Sequence, residues 1–169
     1  SLYYYHSEDS YTGMSLNTAA FNGHKVVVDI GEWGEWGTVD TYDDDGNLLG
    51  TLSFKYIDLI YTPGGGDGTE TVVYGSEDSD EVGTYSSRVF YAYGYGGDDA
   101  FQGDSGVSYI DGGDGNDTYD IHYDGAAFID LEAPMVTVQD ENGEDAQYIA
   151  ITTSNGGETE YIRDIENIR

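Results

Sequence analysis

The stretch Gly112-Gly113-Asp114-Gly115-Asn116-Asp117-Thr118-Tyr119-Asp120 satisfies the pattern G-G-x-G-x-D-x-U-x, with U a large apolar residue, at every fixed position. Each fixed position has a physical job. The glycines let the backbone turn tightly and bring carbonyl oxygens inward. The sixth-place Asp adds a charged oxygen to the same turn. The eighth-place residue, Tyr119 here, then points into a core as the first rung of a short strand.

One match in a chain with 25 glycines is weak, so the spacing carries the weight. Gly94-Tyr95-Gly96-Gly97-Asp98-Asp99-Ala100-Phe101 repeats the pattern with Tyr95 in the second glycine place. Gly75-Ser76-Glu77-Asp78-Ser79-Asp80-Glu81-Val82 keeps the first Gly, the sixth Asp and the apolar eighth. Gly65-Gly66-Asp67-Gly68-Thr69-Glu70-Thr71-Val72 carries Glu70 for the Asp, and the copy from Gly103 carries Ser108 there. Starts thus fall at 65, 75, 94, 103 and 112, with one degenerate copy near Thr84.

A coil of about eighteen residues holds two turns and two short strands, so alternate turns lie on opposite sides. Starts at 75, 94 and 112 stack on one side and align Asp80, Asp99 and Asp117. The other side has Glu70, no acid near Arg88, and Ser108. Stacked carboxylates and carbonyls suit a hard cation such as Ca²⁺. The expectation is two ions on the first side, between successive turns, and a poor or empty second side.

Composition agrees. Five basic residues face 34 acidic ones, a formal net charge of −29 over 169 residues. Such a surface repels nucleic acid and anionic membrane. High charge with low hydrophobicity signals disorder. Yet 14% aromatic residues and patterned Val, Ile and Phe argue for a core. Disorder without a cation and order with one satisfies both. The chain has no cysteine, hence neither disulfides nor thiolate chemistry, and no run of 18 apolar residues to span a membrane.

Along the chain, 1–24 is ambiguous, with 2–5 compatible with a strand and 15–21 with a single helical turn at most, and 26–30 reads as a strand. Residues 38–42 and 48–54 read as a hairpin around Asp43-Asp44-Asp45-Gly46-Asn47, and 56–60 as a strand. The plan returns after the glycine-rich region. Phe128-Ile129-Asp130-Leu131 matches Val27-Val28-Asp29-Ile30. A second hairpin turns at Asp140-Glu141-Asn142-Gly143, and 164–168 matches 56–60. The expected fold is all-β: a parallel β-roll over 64–120 between hairpin-decorated β flanks, 1–63 and 121–169, in one continuous domain.

The nonapeptides resemble the RTX (repeats-in-toxin, haemolysin-type calcium-binding) repeats of proteins exported by bacterial type I secretion. The segments V-x-D-I … I-D-L-I before the glycines and F-I-D-L … D-I-E-N-I after them are similar to those that punctuate such arrays. The resemblance implies one ion between the turns of adjacent coils. Asp80 and Asp99 would give side-chain oxygens to one, Asp99 and Asp117 to its neighbour. Carbonyls would come from Gly75, Glu77 and Ser79, from Gly94, Gly96 and Asp98, and from Gly112, Asp114 and Asn116. It further implies a chain that stays unfolded in low cytosolic calcium and folds on Ca²⁺ outside the cell. The expected role is a structural module of a larger secreted or surface protein, with its neighbouring domains as partners. The alternative is a carbohydrate-binding module of an adhesin or polysaccharide-active enzyme, similar to the R-modules of alginate epimerases. There Trp33 and Trp36, with surface tyrosines, would stack on a neutral glycan.

Other motifs carry less. Asp43-Asp44-Asp45-Gly46-Asn47 starts like an EF-hand loop but lacks its twelfth-place Glu, so it reads as an acidic hairpin turn. His6, His24 and His122 stand apart, and G-x-S-x-G and H-E-x-x-H are absent, so no catalysis is expected.

Overall fold

A computed structural model of the chain describes residues 2–6, 12–16, 25–32, 36–55, 57, 59–62, 69–84, 88–103, 106–121, 127–129, 134–153 and 159–169. The protein is all-β. In chain order the strands are β1 (Leu2–His6), β2 (Thr12–Leu16), β3 (Lys25–Asp29), β4 (Gly37–Tyr42), β5 (Leu48–Phe54), β6 (Leu59–Thr62), β7 (Glu70–Tyr74), β8 (Glu81–Thr84) and β9 (Val89–Tyr93). They continue with β10 (Ala100–Gly103), β11 (Val107–Asp111), β12 (Thr118–Ile121), β13 (Ala127–Ile129), β14 (Val136–Gln139), β15 (Asp145–Thr153), β16 (Glu160–Arg163) and β17 (Asn167–Ile168).

Two sheets hold them. One runs β1-β2-β6-β8-β10-β12-β17; the other runs β13-β15-β16-β11-β9-β7-β3-β4-β5, with β14 on β15. From β6 to β12 the chain alternates strictly between the sheets, and within each sheet these strands pair in parallel. Parallel pairing puts like positions of successive coils side by side, so one residue type repeats as a column.

The eighth-place residues Val82, Phe101 and Tyr119 form such a column, extended by Ile60 and Ile168. Ile60, Val82, Phe101, Tyr119 and Ile168 are successive partners across the first sheet. The first four are almost fully buried, and Ile168 packs against them. The second sheet contributes Val28, Val73, Ala92, Ile110 and Ile162 in one register. All five join the same apolar cluster. Full burial of a Val, Ile or Phe side chain contributes about 1.5–3 kcal/mol. The pattern is residue-by-residue alternation, as β9 shows with Phe90 and Ala92 in and Tyr91 and Tyr93 out.

The outward positions of the second sheet are also ordered. Tyr91, Tyr109 and Tyr161 are register partners whose rings stack at 4.8 and 4.9 Å. Tyr74 stacks on Tyr93 at 5.5 Å. The β14–β15 hairpin reaches these rings: buried Tyr148 meets Tyr109 edge-on at 6.0 Å. At its tip the Glu141 carboxylate accepts hydrogen bonds from the hydroxyls of Tyr74 (2.7 Å) and Tyr93. Burial, then the bond to Glu141, pushes both phenols well above their ordinary pKa, so they remain donors.

Several expectations shift. The strand expected at 56–60 is β6, which runs on to Thr62. Residues 12–16 form strand β2; the rest of 15–21 lies outside the described residues. Of 164–168 only Asn167–Ile168 is strand, because 164–166 make a turn. The two flanks differ in order as well. In the first, β3 pairs with β7 and the hairpin follows; in the second, β13 lies at the far edge and β16, after the hairpin, pairs with β11. The physical reason is the order of connection: the second hairpin precedes the strand that pairs with β11, whereas the first follows the strand that pairs with β7.

Candidate metal site along the glycine-rich turns

Turns 75–80, 94–99 and 112–117 each lead from the second sheet to the first, β7 to β8, β9 to β10 and β11 to β12. They stack because the flanking strands stack. Main-chain bonds lock the level: Gly75, Gly94 and Gly112 donate N–H to Tyr93, Asp111 and Arg163 O, at 2.7, 2.8 and 3.1 Å. Gly96 N–H donates to Ser76 O, and Asp114 N–H to Tyr95 O.

The three sixth-place acids form a continuous buried ladder. Asp80 N–H donates to Asp99 Oδ1 at 2.7 Å, and Asp99 N–H donates to Asp117 Oδ1 at 2.8 Å. Asp117 N–H then donates to Glu166 Oε2 at 2.8 Å. Asp80, Asp99 and Asp117 are 4%, 2% and 0% exposed, which excludes solvated turn aspartates. A second ladder runs the opposite way through the fifth places. Asp98 N–H donates to Ser79 Oγ, Asn116 N–H to Asp98 Oδ1, and the Asn167 amide to Asn116 Oδ1. Ser79, Asp98 and Asn116, expected for their carbonyls, thus use their side chains to tie coils together.

What remains is each acid's second oxygen. Asp80 Oδ2 accepts from Ser76 N–H at 2.7 Å and from the Ser76 hydroxyl at 3.0 Å. Asp99 Oδ2 and Asp117 Oδ2 are buried and have no hydrogen-bond partner. Leaving a buried charged acceptor unmade costs more than about 1–3 kcal/mol. Burial accordingly pushes the Asp99 carboxyl up to about 8; the Asp80 amide opposes this, and the charges of Asp80 and Asp117 add to it. Burial also raises Asp117, with the Asp99 amide opposing and Glu166 adding.

Main-chain oxygens sit beside these orphans. A Cβ placed on Gly94 would lie 2.1 Å from Asp99 Oδ2 and 2.2 Å from Gly112 O. One on Gly112 would lie 1.9 Å from Asp164 O and 2.6 Å from Asp117 Oδ2. At Gly75 the like oxygens, Gly94 O and Asp80 Oδ2, stand further off, at 2.8 and 3.0 Å. So the first-place carbonyl of each coil and the sixth-place carboxylate of the coil before it converge on one glycine. Among the described residues no three His, Asp or Glu side chains group as metal ligands. A cation here would draw on main-chain oxygens with one or two carboxylates, a donor set that fits Ca²⁺.

The opposite turns differ from expectation. Glu70 pairs with Val89, and Val89 with Val107, so Ser108 stands one place on from Glu70's level. Glu70 instead pairs with Lys25 Nζ at 2.9 Å. The reason is turn length: β-strand register, not nonapeptide count, sets the level on this side. Residues 63–68, with the first glycines of that copy, lie outside the described residues, as does Trp33. Trp36 is 60% exposed, with the Lys55 ammonium 3.3 Å over its ring centroid. Asp43 behaves as a hairpin residue, its Oδ1 accepting from Asp45 and Asn47 N–H, and Asp140 repeats this with Asn142 and Glu144.

Sequence reasoning missed Ser76 and Glu166. Ser76 occupies a place the pattern gives to glycine, and Glu166 lies outside any nonapeptide. No family model matches the chain, and no curated protein or solved structure matches it either.

Proposed function

We propose that this chain is a calcium-binding RTX-type module, a parallel β-roll that folds when Ca²⁺ enters the stacked turns 94–99 and 112–117. The observation that carries the reading is the pair of buried, unpartnered oxygens, Asp99 Oδ2 and Asp117 Oδ2, each beside the first-place carbonyl of the next coil. Strict alternation of parallel strands between two sheets supports the roll. Asp99 and Asp117 would hold the charge of bound calcium, with the Gly112 carbonyl beside Asp99 and the Asp164 carbonyl beside Asp117. Bound calcium supplies charge compensation and cross-links successive coils.

Energetics explain the dependence. A net charge of −29 opposes compaction, and two buried carboxylate oxygens without donors oppose it locally. Each site filled at a hundredfold excess over its dissociation constant contributes about 2.7 kcal/mol to folding. A module of this kind is an unfolded chain in low calcium and an ordered spacer outside the cell, within a larger secreted or surface protein. The tyrosines of the outer face spend their rings on one another and on the β14–β15 hairpin, which favours the structural role over glycan stacking.

The test is circular dichroism of the chelator-treated chain during a calcium titration. Disorder giving way cooperatively to β structure is the expected result. A chain equally ordered in chelator, and indifferent to calcium, refutes the reading.

A further inference from the structure

The ladder of acids continues past the last nonapeptide into a turn of different length. Asp111 and Thr118 bracket six residues, 112–117, whereas their register partners Arg163 and Asn167 bracket only 164–166. Despite the missing residues, Glu166 reaches the level of the next sixth-place acid. It accepts from Asp117 N–H as Asp117 accepts from Asp99 N–H. Asp164 O likewise takes the place that Gly112 O holds one coil earlier, beside the preceding first-place glycine. The independent sign of a ligand is Asp117 Oδ2 itself. It belongs to a fully buried residue, lacks any hydrogen-bond partner, and shares the space at Gly112 with Asp164 O.

At the other end the need is already met. Asp80 Oδ2 takes two hydrogen bonds from Ser76, one from N–H and one from the hydroxyl. A hydroxyl and an amide there stabilise the charge that a cation would otherwise balance. In the second place of the next two turns stand Tyr95 and Gly113, which carry no such short hydroxyl.

We propose, resting on the calcium reading above, that turn 164–166 completes a cation site with turn 112–117, with Glu166 and Asp164 O joining Asp117, and that Ser76 replaces the ion at Asp80. The two ions are then displaced one coil toward the C-terminal end: one between turns 94–99 and 112–117, one between 112–117 and 164–166. Glu166 is a cation ligand drawn from outside the repeat.

Isothermal titration calorimetry of the intact, chelator-treated chain with calcium chloride tests this through stoichiometry. The parent should bind two ions, Glu166→Gln one, and Ser76→Gly three, because the glycine removes the hydroxyl bond and leaves Asp80 Oδ2 only the main-chain N–H. Unchanged stoichiometry in Glu166→Gln or in Ser76→Gly overturns the assignment, while a parent that still binds leaves the calcium reading standing. A parent that binds no calcium overturns both. Should Glu166→Gln stay unfolded at every calcium level, Glu166→Asp keeps the charge on a shorter arm. It should bind two ions, the weaker one about tenfold less tightly, a change of about 1.4 kcal/mol; two unchanged affinities overturn the assignment.

Discussion

Turns 75–80 and 112–117 have the same length, the same sixth-place acid and the same side of the stack, yet they meet the buried charge differently. In the first, Ser76 donates twice to Asp80. In the second, Gly113 takes a φ of +92°, offers no side chain, and leaves Asp117 Oδ2 without a partner. The fourth places differ too: Asp78 carries a side chain, whereas a Cβ on Gly115 would fall 1.7 Å from Gly97 O. One turn is closed by its own polar groups. The other is packed so tightly, backbone on backbone, that its own groups leave the second oxygen of Asp117 without a donor.

The strongest way to break this contrast is to remove an acid at each end. Asp99→Ala orphans the Asp80 N–H, worth about 1–3 kcal/mol, and on the proposed calcium reading would also remove an ion ligand, worth about 2.7 kcal/mol at a hundredfold calcium excess. On the same reading Asp80→Ala would remove no ion. Denaturant unfolding in calcium should therefore show Asp99→Ala as the costlier; equal losses would erase the distinction.

Next in size is the packing contrast. Gly115→Ala forces backbone apart and should cost about 3 kcal/mol or more. Asp78→Ala, at the same place of the first turn, should cost under about 1 kcal/mol. Thermal melts in calcium compare the two.

The pH response sharpens the electrostatic half. Asp99 has a folded pKa of about 8, above the ordinary carboxylate value near 3.9. The folded state thus holds the proton more tightly. Its contribution is fully present below the unfolded pKa and is lost as pH rises through about 8. Metal-free chain should gain order as pH falls from about 9 to about 5, and Asp99→Asn should flatten that response. A calcium-free chain most ordered at alkaline pH would contradict it.

Smallest is the hairpin. Glu141→Gln weakens the bonds to Tyr74 and Tyr93 by about 1 kcal/mol. Hydrogen exchange should quicken across β14 and β15 while β10 and β12 keep their protection. Loss of protection in both would mean that the hairpin and the turns are one cooperative unit.

Much of the edge was legible beforehand. Glycine spacing placed Asp80, Asp99 and Asp117 in one column, and the eighth places named Val82, Phe101 and Tyr119 as core. Both follow from a period in the chain, which parallel pairing turns directly into vertical stacking. Glu166 was not legible, because its turn has half the residues of a repeat's turn and breaks the period. Nor was Glu160, fully buried and bonded by the Tyr119 hydroxyl at 2.7 Å: it lies 41 positions along and reads as one more surface acid.

By itself, then, the order of residues determined where the chain turns, which side chains point inward and which acids share an edge, because these depend on local geometry repeated at a constant interval. The tertiary structure alone decided that Glu166 continues the ladder of those acids. It also decided that the second hairpin lies against the outer tyrosines. Such matters turn on groups that meet across 48 or 49 positions, as Glu141 meets Tyr93 and Glu166 meets Asp117, and no local pattern encodes the approach of segments so far apart.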